Sequence, residues 1–274
     1  MSNESSARTE PKRSTRVVSE RPWGKNFDII AEKETKEISA SGRPGMTRRG
    51  SICKIVSDIS EKLSLNESDS LLDLGCGTGL LSREWSQGVR FLAGLDAGEQ
   101  VLKRSLRERH SLSGQPVLIQ GEITNLPLRR EQFDKLLCYS VVQYLPSYAE
   151  FKRVLIEMLR VLRPGGLALI GDIPEHNLRA AWAKGLRGND ESLLHYLVRR
   201  SREKATQLTY NLGAKLDSMR KTKQGIQLSA APYMTYDSQT ILEIVKEIGA
   251  TGQILEQPSG LPFNHTRIDL LLRK

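Results

Sequence analysis

Cysteine is scarce in this chain, with only Cys53, Cys76 and Cys138 among 274 residues. An odd, scattered set without Cys-x-x-Cys excludes a disulfide framework and fits reduced thiols, so a cytoplasmic location is expected. Histidine occurs four times and forms no spaced cluster with cysteine. No metal site is therefore expected. Aromatic residues make up 5% of the chain, few for a surface that stacks nucleic-acid bases. No apolar run approaches the roughly eighteen residues of a membrane span, and the N-terminus lacks the apolar core of a secretory signal.

Positive charge is plentiful. Lysine and arginine exceed aspartate and glutamate by 41 to 32, a formal net charge of +9. Much of the excess is local. Arg199–Lys223 holds eight basic residues against Glu203 and Asp217, a net +6. Such a stretch suits an anionic partner or is simply a solvated helix face. The remaining composition, 38% hydrophobic and 27% charged, is that of a globular protein with one large domain or one domain carrying an insertion.

The most informative stretch is Leu71–Gly79, Leu-Leu-Asp-Leu-Gly-Cys-Gly-Thr-Gly. An apolar run stops at Gly75, Gly77 and Gly79, and the periodic segment Leu80–Trp85 follows. This predicts a buried strand, a tight turn and a helix over about 80–87. Glycines permit positive φ and leave room for a ligand against the backbone. The helix start aims free N–H groups over the turn, and Asp73 adds a carboxylate. A loop offering both suits a zwitterion attached to a nucleoside. The dinucleotide fingerprint Gly-x-Gly-x-x-Gly is broken, because Leu80 holds its sixth position.

Residues 1–21 are Ser-, Thr- and Arg-rich and read as a disordered tail. A transit peptide is the other reading, against which Glu4, Glu10 and Glu20 count. Trp23, Phe27, Ile29 and Ile30 are the first residues able to dock, and Gly42-Arg43-Pro44-Gly45 is a turn. Ile52, Ile55, Val56, Ile59 and Leu63 mark a helix. It either covers the sheet or serves as a lid with Arg48 or Arg49 at the ligand.

A second strand, Phe91–Leu95, ends at Asp96. That carboxylate can accept the hydroxyls of a ribose or cap the helix that begins near Gln100. A third strand precedes Gly121-Glu122-Ile123, and a fourth ends near Tyr139. Ser147–Glu150 is a capping box, followed by the core stripe Tyr148, Phe151, Leu155, Met158, Leu159 and Leu162. Arg163-Pro164-Gly165-Gly166 stops that helix. A fifth strand at Leu167–Ile170 ends at Gly171-Asp172. Residues 175–232 read as a helical cap holding the basic stretch. A helix over Asp237–Ile248, with Asp237 as N-cap and Gly249 as its stop, leads to strands six and seven near 253–257 and 268–272.

The stretch Asp73–Gly79, with the ordered segments after it, resembles class I S-adenosylmethionine (SAM)-dependent methyltransferases. The likeness covers roughly Ser70–Asp172 and the last forty or so residues. It implies an α/β fold with a seven-stranded, mostly parallel sheet, an antiparallel last strand, and the helical cap inserted between strands five and six. It implies a SAM-binding core at 22–174 with an N-terminal lid helix, completed by 233–274. The cofactor residues it implies are Asp73, Gly75, Cys76, Gly77 and Gly79 in the first motif and Asp96 and Ala97 after the second strand. Glu122, where the family more often has aspartate, would take the adenine amino group, and the Ile123 N–H a ring nitrogen. Tyr139 would border the methionine part. In the family the seventh strand lies beside the fifth, which brings the loop Pro258–Arg267 to the glycine-loop edge.

Methyl transfer is an in-line displacement in which alignment is the main task. A hydroxyl acceptor also needs a base, which histidine suits. His265 is the first choice, with Asp172 and Tyr144 behind it; His176 falls on the same edge. The favoured function is methyl transfer to a small-molecule or glycan acceptor, on oxygen, and the basic excess suits an anionic one. The ending Gly260–Leu270 resembles methyltransferase-like proteins associated with surface-sugar modification. The alternatives are a nucleic-acid (RNA) methyltransferase using the basic cap, a non-catalytic SAM-fold module and, more distantly, a nicotinamide oxidoreductase.

Overall fold

The computed structural model describes residues 22–34, 36, 46, 48–108, 116–185, 192–226 and 233–274. The expected tail at 1–21 and the turn at 42–45 lie outside the described residues. Seven strands form one sheet: β1 Ser70–Leu74, β2 Phe91–Asp96, β3 Val117–Gln120, β4 Phe133–Tyr139, β5 Leu162–Pro174, β6 Thr251–Glu256 and β7 Arg267–Arg273. Their order is β3-β2-β1-β4-β5-β7-β6. Strands β1 to β5 are parallel. Strand β7 runs antiparallel to both β5 and β6. The expected α/β architecture is thus present, including the antiparallel last strand beside the fifth.

All five residues of β1 are buried, as a parallel strand covered on both faces requires. Leu72, Leu74, Leu95 and Leu136 pack with Phe151, Met158 and Ile241 on one face. Leu71, Leu92, Leu137 and Leu169 pack with Ile55, Ile59, Leu63 and Trp85 on the other. The helices, in chain order, are α1 Pro22–Lys33, α2 Cys53–Leu63, α3 Glu99–Arg107, α4 Tyr148–Val161, α5 His176–Lys184, α6 Leu193–Lys223 and α7 Ser238–Glu247. The Ser147 hydroxyl accepts from the Glu150 N–H (3.3 Å) at the start of α4. Asp237 Oδ2 accepts from the Thr240 N–H (2.8 Å) at the start of α7. Among the described residues no helix is long and apolar enough to cross a membrane.

Two elements depart from expectation. The segment after the glycine loop is a 3₁₀ turn, Ser82–Trp85, rather than a helix over 80–87. Two side chains hold it tight: the buried Ser82 hydroxyl donates to Asp73, and Trp85 Nε1 donates to Ser60 Oγ (2.8 Å). Strand β5 begins at Leu162 rather than Leu167. Leu162 is already extended (φ −75°, ψ 136°) and pairs with Phe133, so the Arg-Pro-Gly-Gly segment lies within the strand. The cap's later part is one 31-residue helix, α6.

An ion pair closes the sheet at β7. Asp269 is fully buried and receives Lys62 Nζ of α2 at 2.6 Å. It also accepts the Asp172 N–H (2.8 Å) and a bond from Gln257 Nε2. Burial pushes the Asp269 carboxyl up to about 6, against the pull of Lys62. Burial alone would lower Lys62, but Asp269 and Asp58 outweigh it and hold the ammonium above its ordinary value.

Candidate active site

The parallel strands end along one edge, and the strand order reverses between β1 and β4, where ligands of open α/β sheets bind. A cavity of about 410 Å³ opens there. Its two ends differ in chemistry.

The first end is built on the glycine loop. The N–H groups of Gly75 and Cys76 both donate to the Leu95 carbonyl (2.7 and 3.1 Å), tying the loop to β2. Gly77 has φ +58°, and a Cβ added there would meet nothing within 4 Å. It faces the cavity, so its missing side chain is ligand space. At Gly75 (φ +72°) a Cβ would lie 2.5 Å from Val141, so that glycine serves close packing as well. Asp73, Cys76, Ala97, Glu122, Ile123 and Tyr139 all line the cavity. Gly79 does not. An added Cβ there would sit 2.9 Å from Ser105 Oγ, so Gly79 lets the loop pack on α3.

Asp96 also lines this end. Its Oδ2 accepts from the Gly77 N–H (3.0 Å) and its Oδ1 from the Gly98 N–H (2.9 Å). Burial holds its pKa above the usual carboxylate value; the two N–H donors work against that, and nearby Asp28 and Glu122 add to it. Each oxygen keeps a lone pair for a hydroxyl donor. Asp96 does not cap α3. The N–H groups of Gln100 and Val101 donate instead to Asp28 Oδ1 of α1 (2.9 and 3.2 Å). Asp96→Ala is expected to weaken SAM by about 1–3 kcal/mol, the scale for a charge-assisted hydrogen bond. Calorimetry checks this, and unchanged affinity would move the ribose contact elsewhere.

The second end is aromatic with one polar corner. Tyr144 packs against Trp23 (4.5 Å between ring centroids), Phe27 (5.3 Å) and Tyr233 (6.2 Å). Trp23 and Phe27 stand one turn apart on α1, which therefore covers the cavity. Met46 and Ile55 also reach it, while the side chains of Arg48 and Arg49, expected at a lid, lie outside the described residues. The polar corner joins Ser140, Asp172 and Arg267. Five non-glycine residues have positive φ among the described residues, and Ser140 (+60°), Asp172 (+58°) and Phe263 (+68°) are three of them. All three line the cavity. Such backbone strain concentrates at functional sites. The Ser140 hydroxyl donates to Asp172 Oδ2. Buried Arg267 donates to the Asp172 carbonyl (3.1 Å) and the Tyr233 hydroxyl (2.7 Å), with Nε 3.6 Å from Asp172 Oδ1. Burial pulls the Arg267 pKa down, yet Asp172 keeps it above its ordinary value.

His265 is not in the cavity wall. It sits on a 3₁₀ turn, Asn264–Thr266, stacked on Trp182 of α5 (4.6 Å, 26°). Burial lowers its pKa; Glu203 opposes, while Arg200 and Arg199 add to the fall. The residue expected as base thus lies outside the cavity wall, packed on Trp182. His176 begins α5 and is exposed. Asp172 and Tyr144, the later choices, are both in the wall. Sequence reasoning missed Trp23, Phe27, Tyr210 and Tyr233 as site residues. The Trp-x-x-x-Phe spacing on a first helix was the available signal.

Residues 72–170 match the family described as "Methyltransferase domain". Over that segment the chain is similar to methyltransferase domains, and its sheet has the class I methyltransferase fold. Outside that segment the likeness thins. The malonyl-[acyl-carrier protein] O-methyltransferase of Pectobacterium atrosepticum is 35% identical over 135 residues, 47% of this chain and 50% of that protein. The phthiotriol/phenolphthiotriol dimycocerosates methyltransferase 1 of Mycobacterium ulcerans is 38% identical over 123 residues, 43% of each chain. The chain thus spans half or less of the length of these curated relatives. The fold likeness extends further. A SAM-dependent methyltransferase from Clostridium acetobutylicum superposes with TM-score 0.55 at 16% identity, over 90% of this chain and 98% of that one.

Proposed function

We propose that the chain transfers the methyl group of SAM to an oxygen of a small-molecule or glycan acceptor. One observation carries this reading: a single cavity joins the glycine loop, Asp96 and Glu122 at one end to Tyr144, Asp172 and Arg267 at the other. The residues present fit SAM, because Gly77 leaves the cradle open and Asp96 presents both carboxylate oxygens there. When bound, the sulfonium supplies an activated methyl group. Asp73 would hold the methionine part, Asp96 the ribose and Glu122 the adenine.

The rest falls to the chain's own side chains. The aromatic wall excludes water and positions the acceptor for in-line attack. Asp172 would take the hydroxyl proton as the new C–O bond forms and the donor's C–S bond breaks, with the demethylated thioether as leaving group, and Arg267, itself held by Tyr233, would orient Asp172. Because Arg267 is already balanced by Asp172, this corner suits a neutral hydroxyl better than a bare anion. Incubation with radiolabelled SAM and panels of hydroxylated metabolites, glycans and RNA tests the reading. Label should pass to a hydroxylated compound. Asp172→Asn should lower kcat by about 10²-fold or more with SAM affinity retained, and His265→Ala should leave turnover near normal. Transfer to RNA alone would replace the small-molecule reading.

A further inference from the structure

Helix α6 is amphipathic in the unusual sense. Its inward side is polar. Glu203 and Asp217 are buried, and Gln207, Tyr210 and Arg220 are half-buried. Its outward side is apolar. Leu194 is 70% and Leu208 71% exposed, and Leu193, Leu197, Leu212, Leu216 and Met219 are all more than half exposed. From Leu193 to Met219 this stripe runs about 39 Å at 1.5 Å per residue. Exposed large apolar side chains in two groups along that length, Leu193–Val198 and Leu208–Met219, mark an interaction site.

The charges beside the stripe are of one sign. Arg202, Lys204, Lys215 and Lys223 are exposed. The helix's two acids are turned in: Glu203 pairs with Arg199 (2.9 Å), and Asp217 pairs with Lys221 (2.8 Å) and Arg220. The outward side therefore bears cations and leucines and, among the described residues, no acid. We propose that α6 docks flat on an anionic lipid bilayer, its leucines entering the acyl boundary and its lysines and arginines meeting lipid phosphates. Large apolar side chains bordered by cations, on a helix too charged to span, are the features of an interfacial helix. Pairing with a second copy would set the same four cations against each other with no acid to balance them. Residues 1–21 are polar and net positive, so they complement the stripe in neither polarity nor sign.

The surface and the cavity meet in one element. Tyr210, on the inward side of α6, lines the cavity and packs edge-on against Phe263 (4.7 Å). A docked helix would thus hold one cavity wall beside the membrane. This docking inference does not depend on the proposed reaction.

Flotation of the full chain with vesicles tests it. Vesicles of phosphatidylcholine with about one-third phosphatidylglycerol should retain the protein at least tenfold better than phosphatidylcholine alone, and 0.5 M salt should weaken retention. The triple variant Leu208→Ser, Leu212→Ser, Leu216→Ser should lose tenfold or more in binding. Its circular dichroism and SAM titration should match the parent, because the stripe points away from the cavity. Arg202→Glu with Lys204→Glu and Lys215→Glu should abolish the preference for anionic vesicles. A folded parent that binds neither vesicle overturns the proposal. So does equal binding by the triple serine variant. Concentration-dependent dimers that this variant abolishes, without vesicle binding, would assign the stripe to a second copy instead. Failure to bind SAM would leave the vesicle result intact and count against the reaction alone.

Discussion

Gly77→Val abolishes SAM binding on a chain that still folds: this is the expected result, with affinity lower by about 100-fold or more, some 2.7 kcal/mol. The two halves of the effect have separate causes. A Cβ at position 77 meets no protein atom within 4 Å, so the fold receives no clash. Its backbone has φ +58°, which costs a β-branched residue about 1–3 kcal/mol, tolerable for a domain with two packed cores. The two added methyls would stand in the cavity, beside the N–H that Asp96 Oδ2 holds at 3.0 Å. Calorimetry on protein with parental circular dichroism reads the outcome. Gly75→Val makes the contrast, because its Cβ would strike Val141 and should cost folding stability first. Retained micromolar binding in the Gly77→Val chain would remove the ligand from above the loop.

Lys62→Met destabilises the chain by about 3–5 kcal/mol at pH 8, the cost of leaving a buried charge without its partner. Asp269 is fully buried and Lys62 nearly so, with 12% of its side chain exposed. Methionine replaces the aliphatic stem but not the ammonium. The pH dependence has a definite sign. Asp269 titrates near 6 in the folded chain against 3.8 as its ordinary value. Between those values the folded state holds a proton that the unfolded state releases, so stability rises as pH falls through about 6. Without Lys62 the folded value climbs further. The variant's deficit should therefore be largest at pH 8 and shrink toward pH 5, as urea unfolding at both pH values would show. Parental stability at pH 8 would mean that Asp269 is not held there as a buried, unpaired charge, since Asp58 only adds negative charge beside it.

What the sequence made legible was local chemistry. The glycine loop, Asp96 at a strand end and the apolar strand runs are each written within a few residues, and each stands at the cavity edge or in the sheet as expected. The caps at Ser147 and Asp237 were legible for the same reason. What was not legible depends on distant partners. Asp28 reaches α3 across 72 residues of chain, so nothing near Gln100 announces its capping group. Asp269 looks like a polar position in an apolar strand until Lys62 arrives, 207 residues away. His265 likewise takes its surroundings from afar: Trp182, from another helix, stacks on its ring.

The bond from Asp28 to the start of α3 also sets a condition on traffic through the site. Helix α1 is both the roof over the aromatic end and the source of the carboxylate that satisfies Gln100 and Val101. Lifting the roof to admit a nucleoside returns those two N–H groups to water and hydrates Asp28. Returning it would restore both bonds. Any displacement of α1 would therefore be coupled to loss of the α3 cap, and the residue that makes that link lies beside the carboxylate expected to hold the ribose.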